Sequence, residues 1–250
     1  MSNPSFDESS VGGAASHEAS LPSPQTLPFL PLEGAIKLWW CPLEQTGTAA
    51  LSLAATLSLE ERERAARFGT AALRERYITG RAVLRHLLGM ALSMPPSKVP
   101  IARGRRGRPV VADAHLIDFN VSHTRGIGVF ALGTGLPGHL RIGVDVEHEE
   151  RPVRVDRLAR KLLTPMERQA FLPLSGSERQ QRFVRVWTCK EAMSKATGDG
   201  LAAPFGAFSV EPGAFPQVLD GPDPYTPGRW RLYRVPMPGA FVVTLAVWQS

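Results

Sequence analysis

The chain has 250 residues, 43% of them hydrophobic, which is enough for a packed core in one large domain or two small ones. A formal net charge of +6 favours acidic partners: nucleic acid, anionic lipid, a polyphosphate ligand or an acidic protein. Its two cysteines, Cys41 and Cys189, exclude a disulfide scaffold and a zinc-type spacing, and no run of about eighteen apolar residues is present to span a membrane.

Residues 1–31 are rich in Ser, Pro, Gly and Ala and lack periodicity, so a disordered tail is expected there. No basic region followed by an apolar core suggests secretion, and a reducing cytoplasm is the expected location. A first strand is expected at Ala35–Cys41, where Ile36, Leu38 and Trp40 alternate, followed by a polar segment. Ser58-Leu59-Glu60-Glu61 matches a capping box and starts a helix that carries Arg62, Arg64 and Arg67. A second helix is expected from Ala71 to Leu92, with Leu73, Tyr77, Leu84, Leu87 and Leu88 inward, before Pro95-Pro96 ends it.

Arg103 to Pro109 forms a flexible, basic loop. It reads either as a solvated or nonspecific nucleic-acid patch or as a phosphate cradle, since glycine lets backbone N–H groups approach and arginine supplies a fork. Phe119-Asn120-Val121-Ser122-His123 is a strand running into a turn, and Ile127–Leu132 is another strand. Gly133 to Gly138 links to the second half.

The stretch from Leu140 to Leu201 concentrates the chemistry. Ile142, Val144 and Val146 alternate with Gly143, Asp145 and Glu147, which puts two carboxylates on one strand face about 6.6 Å apart. Gly143 on that face leaves room for a ligand to approach. Helices are expected at Val155–Arg160, Thr164–Phe171 and Ser177–Thr197, the last stopped by Gly198. On that last helix Phe183, Val186, Trp187 and Met193 form an apolar stripe. Glu191 and Lys195 lie beside it at i, i+4, and Lys190 falls near its middle, where a lysine is costly unless an anion meets it. Three carboxylates suggest a hard divalent cation such as Mg²⁺, and two lysines beside them a phosphate. The plainer alternative is a solvated strand and a surface ion pair. Strands are expected at Phe205–Val210, Arg229–Val235 and Ala240–Trp248, with a long loop from Pro212 to Gly228.

Ile142-Gly143-Val144-Asp145-Val146-Glu147, followed some forty residues later by Trp187-Thr188-Cys189-Lys190-Glu191-Ala192-Met193-Ser194-Lys195, resembles the signature of the 4′-phosphopantetheinyl transferases of the Sfp type. Gly107-Arg108-Pro109 and Phe119-Asn120-Val121-Ser122-His123 resemble two further elements of that family. The resemblance covers about Ser58 to Trp248. It implies an α+β fold, a pseudo-dimer of two similar halves, each a small mostly antiparallel sheet packed with helices. The halves would be 32–138 and 139–250. A weak internal match of Thr79, Arg81 and Gly89 with Thr188, Lys190 and Gly198 agrees with this.

The implied reaction moves the phosphopantetheine arm of coenzyme A to a serine of an apo acyl or peptidyl carrier protein, with Mg²⁺, and releases adenosine 3′,5′-bisphosphate. In that reading Asp145, Glu147 and Glu191 hold the metal, and Glu191 also serves as base. Lys190 and Lys195 hold the pyrophosphate. Arg64, Gly107, Arg108, Pro109, Ser122 and His123 hold the adenosine and 3′-phosphate side. Glu61 stands where a compared family member has a lysine, so contacts from that helix are open. A monomer is expected, without nucleic-acid or membrane partners. The rival readings are a metal-dependent nuclease and a basic nucleic-acid-binding module.

Overall fold

The computed structural model describes residues 21–27, 35–44 and 48–250. In chain order its elements are β1 (Gln25–Thr26), β2 (Ile36–Pro42), α1 (Thr48–Leu53), α2 (Leu59–Ala66), α3 (Ala71–Leu92), β3 (Ile101–Arg103), β4 (Pro109–Val111), β5 (Ile117–Thr124), β6 (Ile127–Thr134), β7 (Leu140–His148), α4 (Val155–Leu162), α5 (Pro165–Phe171), α6 (Gly176–Thr197), β8 (Ser209–Glu211), β9 (Gln217–Asp220), β10 (Trp230–Val235) and β11 (Phe241–Gln249).

Two antiparallel sheets carry the fold, ordered β1-β2-β6-β5 and β10-β11-β7. In each half the first long strand pairs with the last, and the last pairs with the one before it. Each half also ends its helical insertion with a helix of 22 residues, α3 or α6. This is the two-fold pseudo-symmetric α+β architecture that the family resemblance implies. Leu38, Val129 and Ala131 of the first sheet pack on Ile142, Val144, Val146 and Leu245 of the second. Leu38, Val144 and Leu245 are fully shielded from solvent, each contributing roughly 1.5–3 kcal/mol of burial. α3 covers the outer face of the first sheet, and α6 that of the second.

The two helices share a fastening. α2 and α5 each open with a capping box, at Ser58–Glu61 and at Thr164–Glu167. In each box the glutamate also meets a cation on the following long helix. Glu61 Oε2 accepts from Arg85 Nε at 2.6 Å, and Glu167 Oε2 accepts from Lys190 Nζ at 2.6 Å. Burial would raise the Glu61 carboxyl, but Arg85 and Arg81 overcome it and hold its pKa below the ordinary value.

Several expectations need correction. Of the expected tail, residues 21–27 are ordered: Gln25 and Thr26 pair with Trp40 and Trp39, and Leu27 is buried. Residues 1–20 and 28–31 of that tail lie outside the described residues. The segment before Ser58 forms α1 and a 3-10 turn. Leu73 is exposed, because Thr70 caps α3 and leaves its first turn outside the core. The basic loop connects the two strands of a short hairpin, β3 and β4, through a 3-10 turn at Arg105–Gly107. Residues 205–207 form a 3-10 turn before β8, and the expected long loop contains β9, paired with β8. Gly89 lies inside α3, where a Cβ would meet the Met94 carbonyl at 2.7 Å; Ser93 takes the left-handed cap that Gly198 takes on α6.

Candidate active site

The halves meet where β5 runs alongside β7. The two strands belong to different sheets, so no backbone ladder joins them. Side chains spaced two apart on β5 do so instead. Asp118 Oδ2 accepts from Ile142 N at 2.7 Å, Asn120 Oδ1 from Val144 N at 3.0 Å, and Ser122 Oγ from Val146 N at 3.3 Å. The edge amides of β7 are thereby satisfied, as buried donors must be.

This seam leaves one face of β7 toward α6. Gly143 is required for that contact: a Cβ there would lie 2.6 Å from the Ala196 amide and collide with the Ala192 carbonyl. The room expected for a ligand at Gly143 is filled by the helix. The close approach brings Lys195 to Asp145. Lys195 Nζ donates to Asp145 Oδ1 at 2.7 Å, to Ser122 Oγ at 2.8 Å and to the Val144 carbonyl at 3.1 Å. Ser122 donates to the same Asp145 oxygen at 2.8 Å. Asp145 Oδ2 is buried with no hydrogen-bond partner.

Glu147 follows on the same face. It accepts from Thr124 Oγ1 at 3.2 Å and is paired with Arg151. Glu191, on α6, accepts weakly from Ser194 at 3.5 Å. Burial, and then the negative charge of Asp145, push both Glu147 and Glu191 above the ordinary carboxylate range. The three carboxylates thus share one electrostatic neighbourhood with two cations, Lys195 and Arg151. Among the described residues, no three His, Cys, Asp or Glu side chains close to metal-holding spacing.

Beside the seam lies a cleft of about 290 Å³, bordered by Arg81, Leu84, Arg106, Gly107, Arg108, Pro109, Phe119, Asn120, Val121 and Lys195. It brings the Gly107–Pro109 element and Lys195 together. His123 stands exposed beyond Ser122, near enough to feel the charges of both Lys195 and Asp145.

Two expected site residues stand elsewhere, and a third, Arg108, is engaged by a partner within the protein. Lys190 is fully buried: its ammonium donates to Glu167, to the Leu162 carbonyl at 2.9 Å and to the Phe205 carbonyl at 2.6 Å, and it does not reach the carboxylates. The anion that its place on the apolar stripe demands is Glu167, not a phosphate. Arg64 lies over the Tyr77 ring at 5.7 Å and does not border the cleft. Arg108 borders the cleft, but its fork grips Asp118 through two bonds, at 2.7 and 2.9 Å. Sequence reasoning did not single out Asp118, Arg81 or Arg151, whereas Arg106 lies in the loop read as a phosphate cradle. The alternation of Asp118, Asn120 and Ser122 was the one available signal, three polar side chains on a single strand face.

The resemblances of the chain fall on both halves. Residues 141–244 match the 4′-phosphopantetheinyl transferase superfamily model, and residues 39–133 match the model of the 4′-phosphopantetheinyl transferase N-terminal region. The 4′-phosphopantetheinyl transferase HetI of Nostoc sp. is 36% identical over 185 residues, 73% of this chain and 76% of that protein. A putative 4′-phosphopantetheinyl transferase of Synechocystis sp. is 32% identical over 206 residues, 80% of each chain. The 4′-phosphopantetheinyl transferase Sfp of Bacillus subtilis is 27% identical over 180 residues, 72% of this chain and 77% of that one. With both halves matched, and joined by Asp118, Asn120 and Ser122 of β5 against β7, the chain belongs to the 4′-phosphopantetheinyl transferase family, Sfp type.

Proposed function

We propose that this chain transfers 4′-phosphopantetheine from coenzyme A to a carrier-protein serine at the Asp145–Glu147–Glu191 cluster, with Mg²⁺ held there. The observation that carries the reading is Asp145 itself, one oxygen fixed by Lys195 and Ser122 and the other buried without a partner. An unpartnered carboxylate oxygen beside two carboxylates of raised pKa is a site short of positive charge, and oxygen donors suit a hard divalent cation. Asp145, Glu147 and Glu191 would hold the ion, whose charge would offset that of the pyrophosphate oxygens.

The chain's own residues do the rest. Glu191 accepts the serine hydroxyl proton. Lys195, anchored to Asp145, presents positive charge at the cleft beside the diphosphate. Gly107, Pro109 and Arg81 border the space for the nucleotide end, and Arg108 contributes charge there while its fork stays on Asp118. His123 lies on the open side, where the 3′-phosphate would be met. The carrier is an acyl or peptidyl carrier, the location cytoplasmic and the working form a monomer. Among the described residues no helix is long and apolar enough to cross a membrane.

The test is incubation with Mg²⁺, coenzyme A and a panel of apo carrier proteins, read by intact mass. A phosphopantetheine mass gain on at least one carrier is expected. No gain on any class, with the protein folded, would refute the reading.

A further inference from the structure

The guanidinium of Arg108 binds more of the seam than any other side chain in it. Besides its two bonds to Asp118, it donates to the Ile142 carbonyl at 2.7 Å, the Phe119 carbonyl at 3.2 Å and the Lys195 carbonyl at 3.0 Å. Those carbonyls belong to β5, β7 and α6. Asp118 completes the grip, because it also accepts from the Ile142 amide at 2.7 Å. Ile142, on the strand that carries Asp145, is therefore held at its N–H by Asp118 and at its C=O by Arg108. Lys195 is held at its carbonyl by Arg108 and at its ammonium by Asp145.

Both members of the pair are nearly excluded from solvent, with side-chain exposures of 8% each. A buried, bidentate guanidinium–carboxylate pair is rigid in plane and direction, and lysine could not reproduce its fork. Asp118 does not border the cleft, so any effect it has on chemistry is transmitted through other groups.

We propose that Asp118 is a positioning residue for the transfer reaction: through Arg108 it registers the acidic strand of the second half against the Lys195 turn of α6. The rate readout rests on the function proposed above; the clamp itself does not. Small misplacements of reacting groups can cost on the order of a hundredfold in rate. Loosening both sides of the Asp145–Lys195 contact therefore lowers kcat more than it weakens coenzyme A binding.

The experiment compares the full chain with Asp118→Asn and Asp118→Glu, assayed well below their melting temperatures. For Asp118→Asn the expected result is a kcat loss of roughly tenfold or more, with the KM for coenzyme A changed less than about threefold. Amide exchange at Ile142 speeds up by roughly tenfold, while the β11-paired amides of β7 stay protected. Asp118→Glu, which keeps the charge, recovers part of the rate. A purely stabilising role would lower the melting temperature and leave kcat alone. A kcat within twofold of wild type in folded Asp118→Asn, or unchanged exchange at Ile142, would overturn the inference. An inactive wild type would instead sink the functional reading, while the exchange measurement would still decide whether the clamp exists.

Discussion

Lys190 Nζ lies 2.6 Å from Glu167 Oε2, and both side chains are buried. Desolvation pushes the Lys190 ammonium below the ordinary lysine range, and Glu167 works against that shift. The Phe208 ring lies 5.0 Å from the ammonium. This pair fastens α6 to the start of α5, one residue before Glu191.

Removing one partner leaves the other charge buried and alone. Lys190→Met should therefore destabilise by about 3–5 kcal/mol in urea unfolding. Lys190→Met combined with Glu167→Leu should recover much of that loss. If Lys190 instead held pyrophosphate, Lys190→Met would weaken coenzyme A binding with little change in stability.

Cys41 and Cys189 are buried and free. Burial pushes the Cys41 thiol from 9.0 up to about 12, and it raises Cys189 as well. A raised thiol pKa keeps its proton longer in the folded state. The associated stability is full below 9.0 and is lost as pH rises toward about 12. A thiol reagent at mildly alkaline pH should label neither cysteine in the native protein and both after unfolding. Rapid native labelling of Cys189 would show that α6 does not pack on β11 as described.

The carboxylate cluster has a pH signature. Folding raises Glu147 and Glu191, through burial first and then the charge of Asp145. Their contribution to stability is full below the ordinary value of 4.5 and declines as pH rises through the raised values. Near neutral pH the cluster therefore favours a bound cation. Mg²⁺ at about 100 times its Kd should stabilise by roughly 2.7 kcal/mol, or about 5–10 °C in melting temperature. The increment should fade on acidification, as protons replace the ion. No increment near neutrality, or one that grows toward acid, would argue against a metal at this site.

Much of this was legible in the sequence. The capping box at Ser58 and the unbroken pattern from Ala71 to Leu92 mark α2 and α3, because local hydrogen bonds and periodicity fix helices. Strand and helix spacing put Asp145 with Glu147, and Glu191 with Lys195, on one face each, but it is the resemblance of the two pieces together to the transferase signature that singles the four out. The roles of Lys190, Arg108 and Gly143 could not be read in this way. Each depends on a partner distant in sequence: Glu167 on α5, Asp118 with the Lys195 carbonyl, and the backbone of α6. Periodicity says which way a side chain points, not what meets it.

Asp145, Glu147 and Glu191 acting as one unit is the central claim, and turnover of Asp145→Ala, Glu191→Gln and the double variant tests it most directly. The assay is Mg²⁺-dependent carrier modification followed by intact mass. Groups that share one ion and one proton transfer do not contribute additively. Each single change should cost roughly a hundredfold or more in kcat, and the double should be little worse than Asp145→Ala alone. Glu191→Gln should still bind coenzyme A. Near-normal turnover in either single variant, or losses that multiply in the double, would contradict a shared site.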